Sequence, residues 1–220
     1  MRCYNNNKYM KNKIVILVLI IVVVVIAALI SFYFIKQNKP LINSSENTAQ
    51  QTPMGNQNNG MGDEQLQNKL VTDDFDVVFP LGWQKTEPVI GASAMAVNVS
   101  EQLNDPAAQK INFRSYFAVS YDTLQGKNLA EYMQTVKDAL SQVVSNTVFA
   151  NEQDVNINDK SVRAVEGELT QQGVDFKVLI VAIPGEGDDV WVMSFNTTKS
   201  SWDEYKSVFS EIVRSFRLKK

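Results

Sequence analysis

Hydrophobic and polar positions divide this chain into three unequal stretches. Residues 14–35 form an unbroken apolar run whose only polar members are Ser31 and Tyr33, and no charge falls between Lys13 and Lys36. As a helix, 22 residues would extend about 33 Å at 1.5 Å each, the thickness of a bilayer core. Residues 36–69 then show no apolar period and are rich in Asn, Gln, Ser and Gly. Such a segment cannot bury enough surface to fold, and as a flexible coil its ends would lie about 30 Å apart. From Leu70 onward, apolar residues recur at periods of two and of about 3.6, the marks of strands and amphipathic helices.

Within that last stretch, "FDVVFPLGW" at 75–83 predicts a strand with Phe75, Val77 and Phe79 on one face, closed by Pro80 and Gly82. "ASAMAVNVS" and "NFRSYFAVSYD" predict two more strands, the second alternating Phe113, Ser115, Phe117, Val119 and Tyr121 with Arg114, Tyr116, Ala118 and Ser120. "NLAE" at 128–131 has capping-box form. It is followed by Leu129, Met133, Val136, Leu140 and Val143 as one helical stripe. A strand at 147–155, the turn "NDK" and a meander over 161–170, 174–183 and 190–196 come next, with turns "QQG" and "PGEGDD". In the middle strand Leu179 and Val181 replace the earlier Asp175 and Lys177, so its second half is expected to be buried on both faces. A final helix from Ser201, again with the capping-box pattern "SWDE", presents Trp202, Tyr205, Val208 or Phe209, Ile212 and Phe216 to the sheet. Strands in runs with a few helices between and after them predict an α+β domain, an antiparallel sheet flanked by helices.

Charge and cysteine content locate the molecule more than they define its chemistry. Residues 1–69 hold seven Lys/Arg against three Asp/Glu, and residues 70–220 hold fourteen against twenty-one, a balance of −7 for the domain. That balance and the lack of a basic stripe argue against nucleic acid as a partner. The single cysteine, Cys3, precedes the apolar run, so the domain forms no internal disulfide. Arg2, Lys8, Lys11 and Lys13 before the run, against Lys36 and Lys39 after it, place the N-terminus in the cytoplasm by the positive-inside rule. The preferred division is a cytoplasmic N-terminus over 1–13, a transmembrane signal-anchor helix over 14–35, a disordered linker over 36–69 and an extracytoplasmic domain over 70–220. The alternative is a cleaved signal. A secretory apolar region is shorter and ends in small residues, whereas "SFYFIKQNKP" is bulky.

Catalytic signatures are sparse. The chain contains no His, which removes His-based triads, imidazole metal sites and the commonest general base near neutral pH. "GASAM" at 91–95 is the nearest approach to a nucleophile elbow, lacks its second Gly, and reads as a strand entry. The acidic turn offers Glu186, Asp188 and Asp189 as candidate Ca²⁺ ligands, but without the spacing of an EF-hand, and a solvated hairpin turn is the simpler reading. "DDFD" at 73–76 reads as polar residues at a strand entry. Trp83, Trp191 and Trp202 could stack on a ligand, yet each lies in an apolar-periodic element and is expected in the core. Asn43, Asn98 and Asn196 open glycosylation sequons of a kind frequent by chance. No cofactor is predicted.

The order of elements, with "FDVVFPLGW", "NLAEYMQTVKDAL" and "YKSVFSEIVRSFR", resembles the PsbP-like family over nearly all of residues 70–218. That family shares an α/β/α fold with a Ran-binding nuclear transport factor and with bacterial envelope proteins such as DcrB. The resemblance implies a non-enzymatic extracytoplasmic module that docks on membrane proteins. It does not carry the photosynthetic role with it, because photosynthetic members rely partly on His and on a basic N-terminal extension, both missing here. The leading expectation is a membrane-anchored envelope module with a protein partner. A small-ligand or Ca²⁺-binding module is the second, and an enzyme using paired carboxylates the third.

Overall fold

A computed structural model describes residues 67–89 and 91–219. The expected anchor and nearly all of the expected linker lie outside the described residues. Among the described residues, no helix is long and apolar enough to cross a membrane.

Seven antiparallel strands form the main sheet, in the order β3(Trp83–Thr86), β4(Ala94–Asn98), β5(Tyr116–Thr123), β9(Asp189–Thr198), β8(Val174–Pro184), β7(Lys160–Gln171) and β6(Val148–Ile157). A second, three-stranded antiparallel sheet runs β1(Gln67–Val71), β2(Phe75–Pro80) and β10(Arg217–Leu218). Three helices complete the domain: α1(Pro106–Lys110), α2(Leu129–Val143) and α3(Trp202–Ser215). The α+β expectation holds, with two corrections. β1 takes in Gln67, Asn68 and Lys69, assigned from sequence to the linker. "FDVVFPLGW" is also two strands in two sheets, since the chain breaks at Leu81 and Gly82. Gly82 has φ +86°, and a Cβ there would lie 2.1 Å from Ser100 Oγ, so any other residue in this turn would strain the backbone and displace that hydroxyl.

Helix α2 covers one face of the main sheet, and α3 with the small sheet covers the other, giving three layers and two cores. Alternation along each central strand divides it between them. On β5, Tyr116 and Ala118 enter the α2 core while Phe117 and Val119 enter the α3 core. The second half of β8 is buried on both faces, as its sequence predicts.

The capping box of α2 forms: Asn128 Oδ1 accepts from Glu131 N at 3.0 Å, and Glu131 Oε2 accepts from Asn128 N at 3.1 Å. The equivalent box before α3 does not form. A 3₁₀ turn over Lys199–Ser201 leads into the helix and leaves Ser201 at φ −98°, ψ 0°, too compact for its hydroxyl to reach forward. Instead Ser201 Oγ accepts from Thr198 Oγ1 at 3.0 Å.

Candidate functional site

The acidic turn between β8 and β9 is a brace. Asp188 carboxylate oxygens accept the backbone N–H groups of Gln125 and Gly126, both at 2.9 Å, and Asp188 O accepts from Leu124 N at 2.7 Å. Asp189 Oδ1 accepts the Tyr121 hydroxyl at 2.7 Å, which pushes the phenol above its ordinary pKa. Two of the three predicted Ca²⁺ ligands thus pin this hairpin, Asp188 to the β5–α2 loop and Asp189 to the end of β5. Glu186 is exposed and makes no ion pair among the described residues. Ca²⁺ seeks six to eight oxygens, and here it would compete with those hydrogen bonds. Among the described residues no group of three or more His, Cys, Asp or Glu side chains is placed to hold a metal ion.

The other singled-out residues also resolve into structure. Trp83, Trp191 and Trp202 are all buried. Ser93 of "GASAM" donates its backbone N–H to Val119 O at 2.7 Å on entry to β4. Asp76 of "DDFD" pairs with Lys69 at 2.7 Å and Lys219 at 3.1 Å, joining the three strands of the small sheet. Asn98 and Asn196 are buried, so the folded domain presents neither sequon for glycosylation; Asn43 lies outside the described residues.

A polar cleft of about 490 Å³ opens beside α1, with Glu101, Gln109, Asn112 and Arg114 among its walls. Its one carboxylate, Glu101, is buried: Oε2 accepts from Ser115 N at 2.5 Å and Oε1 from Ser115 Oγ at 2.6 Å. Burial raises its pKa, and the Ser115 bonds, Tyr205 and Arg114 only partly oppose that. A folded-state pKa above the unfolded one contributes stability in acid and loses it as pH rises through the folded value. Glu101→Gln should therefore match the wild-type chain in stability near pH 3 and exceed it at pH 7. Urea denaturation at the two pH values checks this, and a variant less stable at pH 7 would contradict it.

A smaller, more apolar concavity lies between α3 and the end of the main sheet formed by β6, β7 and β8. Its floor comes from Val155 of β6, Val162 of β7 and Leu179 of β8, and its wall from Trp202, Lys206 and Arg214 of α3. Its volume is about 170 Å³, and it meets a second hollow of about 150 Å³ at Ile157, flanked by Lys160 and Arg217. Trp202, Lys206, Ser210 and Arg214 follow one another at intervals of four, so they form one row along α3. The core-facing residues of α3 are Trp202, Tyr205, Phe209, Ile212 and Val213, and Phe216 follows at its C-cap.

Under the wall sits an ion cluster. Glu166, buried in β7, receives Lys177 at 3.1 Å, Lys206 at 3.2 Å and the Asn151 amide at 3.0 Å. Lys177 Nζ in turn lies 4.8 Å from the centre of the Trp202 ring. Burial alone would raise the Glu166 pKa, but Asn151, Lys177 and Lys206 together outweigh it and hold the carboxyl below its ordinary value. Sequence reasoning found none of this groove, because its parts come from β6, β7, β8 and α3. The one available signal was the polar row 206, 210, 214 beside the apolar stripe.

Comparison with known proteins gives structural matches alone: no protein-family model and no curated protein sequence matches the chain. A cyanobacterial PsbP (CyanoP) from Synechocystis superposes with a TM-score of 0.51 at 17% identity, covering 73% of this chain and 98% of that one. LpqN of Mycobacterium tuberculosis, described as involved in cell envelope biogenesis, gives a TM-score of 0.49 at 12% identity, over 70% and 91% of the two chains. The first match extends over almost the whole of its partner, at an identity that speaks to architecture alone. The domain therefore has the PsbP-like fold.

Proposed function

We propose that this chain is a membrane-tethered accessory protein whose PsbP-like domain works outside the cytoplasm by docking on a protein partner, without catalysis. The observation that carries the reading is the groove beside α3, an apolar floor with a cationic wall, which offers contact area and charge but no pair of convergent catalytic carboxylates. The apolar run at 14–35 and the polar stretch after it support the location, because together they would keep the domain within reach of a membrane-embedded partner. The fold agrees with a module of this kind.

Two measurements on the full-length chain test the proposal. Protease added outside intact cells should digest the domain, and mild solubilisation of native membranes should yield the tagged chain in a complex larger than itself. A domain protected from external protease, or a chain that always migrates alone, would overturn it.

A further inference from the structure

The geometry points to an acidic protein segment bearing two bulky apolar side chains as the occupant of the groove beside α3. This rests on the docking reading and specifies the chemistry of the partner. The two hollows, about 170 and 150 Å³, meet at Ile157. Each has the size of a cavity that takes a benzene ring, roughly 150 Å³, so each fits one leucine- or phenylalanine-sized anchor. Single anchors in small desolvated sockets are how protein interfaces concentrate their affinity.

Charge selects among protein segments. Residues 70–220 have a balance of −7, yet Lys206 and Arg214 stand at the first hollow and Lys160 and Arg217 at the second. Among the described residues the only carboxylate lining either hollow, Glu166, is already engaged by Lys177 and Lys206. Arg214 is exposed and makes no ion pair among the described residues. Lys206 and Arg214 are eight helical residues apart, about 12 Å along the axis. Carboxylates four residues apart on an extended segment are separated by about 13 Å. An extended stretch with Asp or Glu at such a spacing, and bulky apolar residues between, would meet the cations while filling the hollows.

Photocrosslinking in native membranes tests this with the full-length chain. A benzoylphenylalanine replaces Ser210 in the groove wall, or Val143, exposed at the end of α2 in the opposite layer. The Ser210 position is expected to crosslink a protein segment that sequencing shows to be acidic with at least two bulky apolar residues. Arg214→Gln, at an exposed position in the last turn of α3, should lower that yield about tenfold, equivalent to about 1.4 kcal/mol, at a temperature where the variant remains folded, and Arg214→Glu should lower it further. Crosslinks from Ser210 to lipid, to a basic segment, or to any segment insensitive to Arg214→Glu overturn the inference. Capture of a partner from Val143 alone removes the groove but leaves the docking reading standing. No protein captured from either position removes both.

Discussion

Replacing Trp83 by alanine is expected to destabilise the domain by about 3–5 kcal/mol, the cost of emptying a large aromatic site in a close-packed core. The indole is 2% exposed and packs against Phe117 at 5.9 Å between ring centres, and edge-on against Tyr205 at 6.3 Å and Phe209 at 6.2 Å. It opens β3 opposite Asn98, whose side-chain amide donates to the Tyr205 hydroxyl at 2.9 Å, so the void would open directly beneath α3. The shift in urea midpoint of the full-length chain in mild detergent, at constant slope, measures the loss. A tryptophan kept for stacking on a ligand would cost little when removed, and a loss below about 1 kcal/mol would return Trp83 to that role.

How far such residues can be read without coordinates depends on the range of the interaction. The hairpin from β6 to β7 was legible because its turn chemistry is local: Asn158 and Asp159 adopt φ of +51° and +62°, the left-handed pair that a two-residue hairpin needs. The α2 stripe was legible for a similar reason, although Val143, its last expected member, is exposed, and Tyr132 and Ala139 are buried beside it. The small sheet was not legible. β10 is two residues long and joins β2 by pairing Arg217 with Asp76 and Leu218 with Phe75, partners more than a hundred residues apart in the chain. The split of "FDVVFPLGW" was hidden for another reason: β2 pairs with β1 and Trp83 opens β3 against β4, and local pattern does not say which sheet receives a strand. α1 escaped notice since five residues carry too little periodicity. Asp105, whose carboxylate accepts from Ala107 N and Ala108 N, and Pro106 at the first helical position were its local marks. The groove lies at the far end of this scale, assembled by three strands and a helix that are neighbours only after folding.

Glu166→Ala should cost about 3 kcal/mol, because it strips the largely buried Lys177 ammonium of its nearer carboxylate without fully restoring water to it. The cost falls at the lower end of the range for broken buried pairs for two reasons. Lys177 keeps Glu168 at 3.4 Å, and Lys206, with its side chain 56% exposed, can turn to solvent. Adding Lys177→Met to Glu166→Leu should recover most of the loss, since the pair is then replaced rather than broken. The sign with pH follows from the depressed carboxyl: its stabilising contribution is present above the unfolded Glu pKa, about 4.3, and disappears as pH falls through the folded value. Wild type and Glu166→Ala should therefore converge in stability in acid. The same substitution bears on docking. Without Glu166 the cations Lys206 and Arg214 face the groove with no carboxylate among its lining residues, so an acidic segment should be held more tightly by a domain that is itself less stable. A fall in the urea midpoint together with a rise in crosslinking from position 210 is the expected pair of results. If both fall together at a temperature where the variant remains folded, Glu166 contacts the partner itself, and the groove does not select for acidic chemistry.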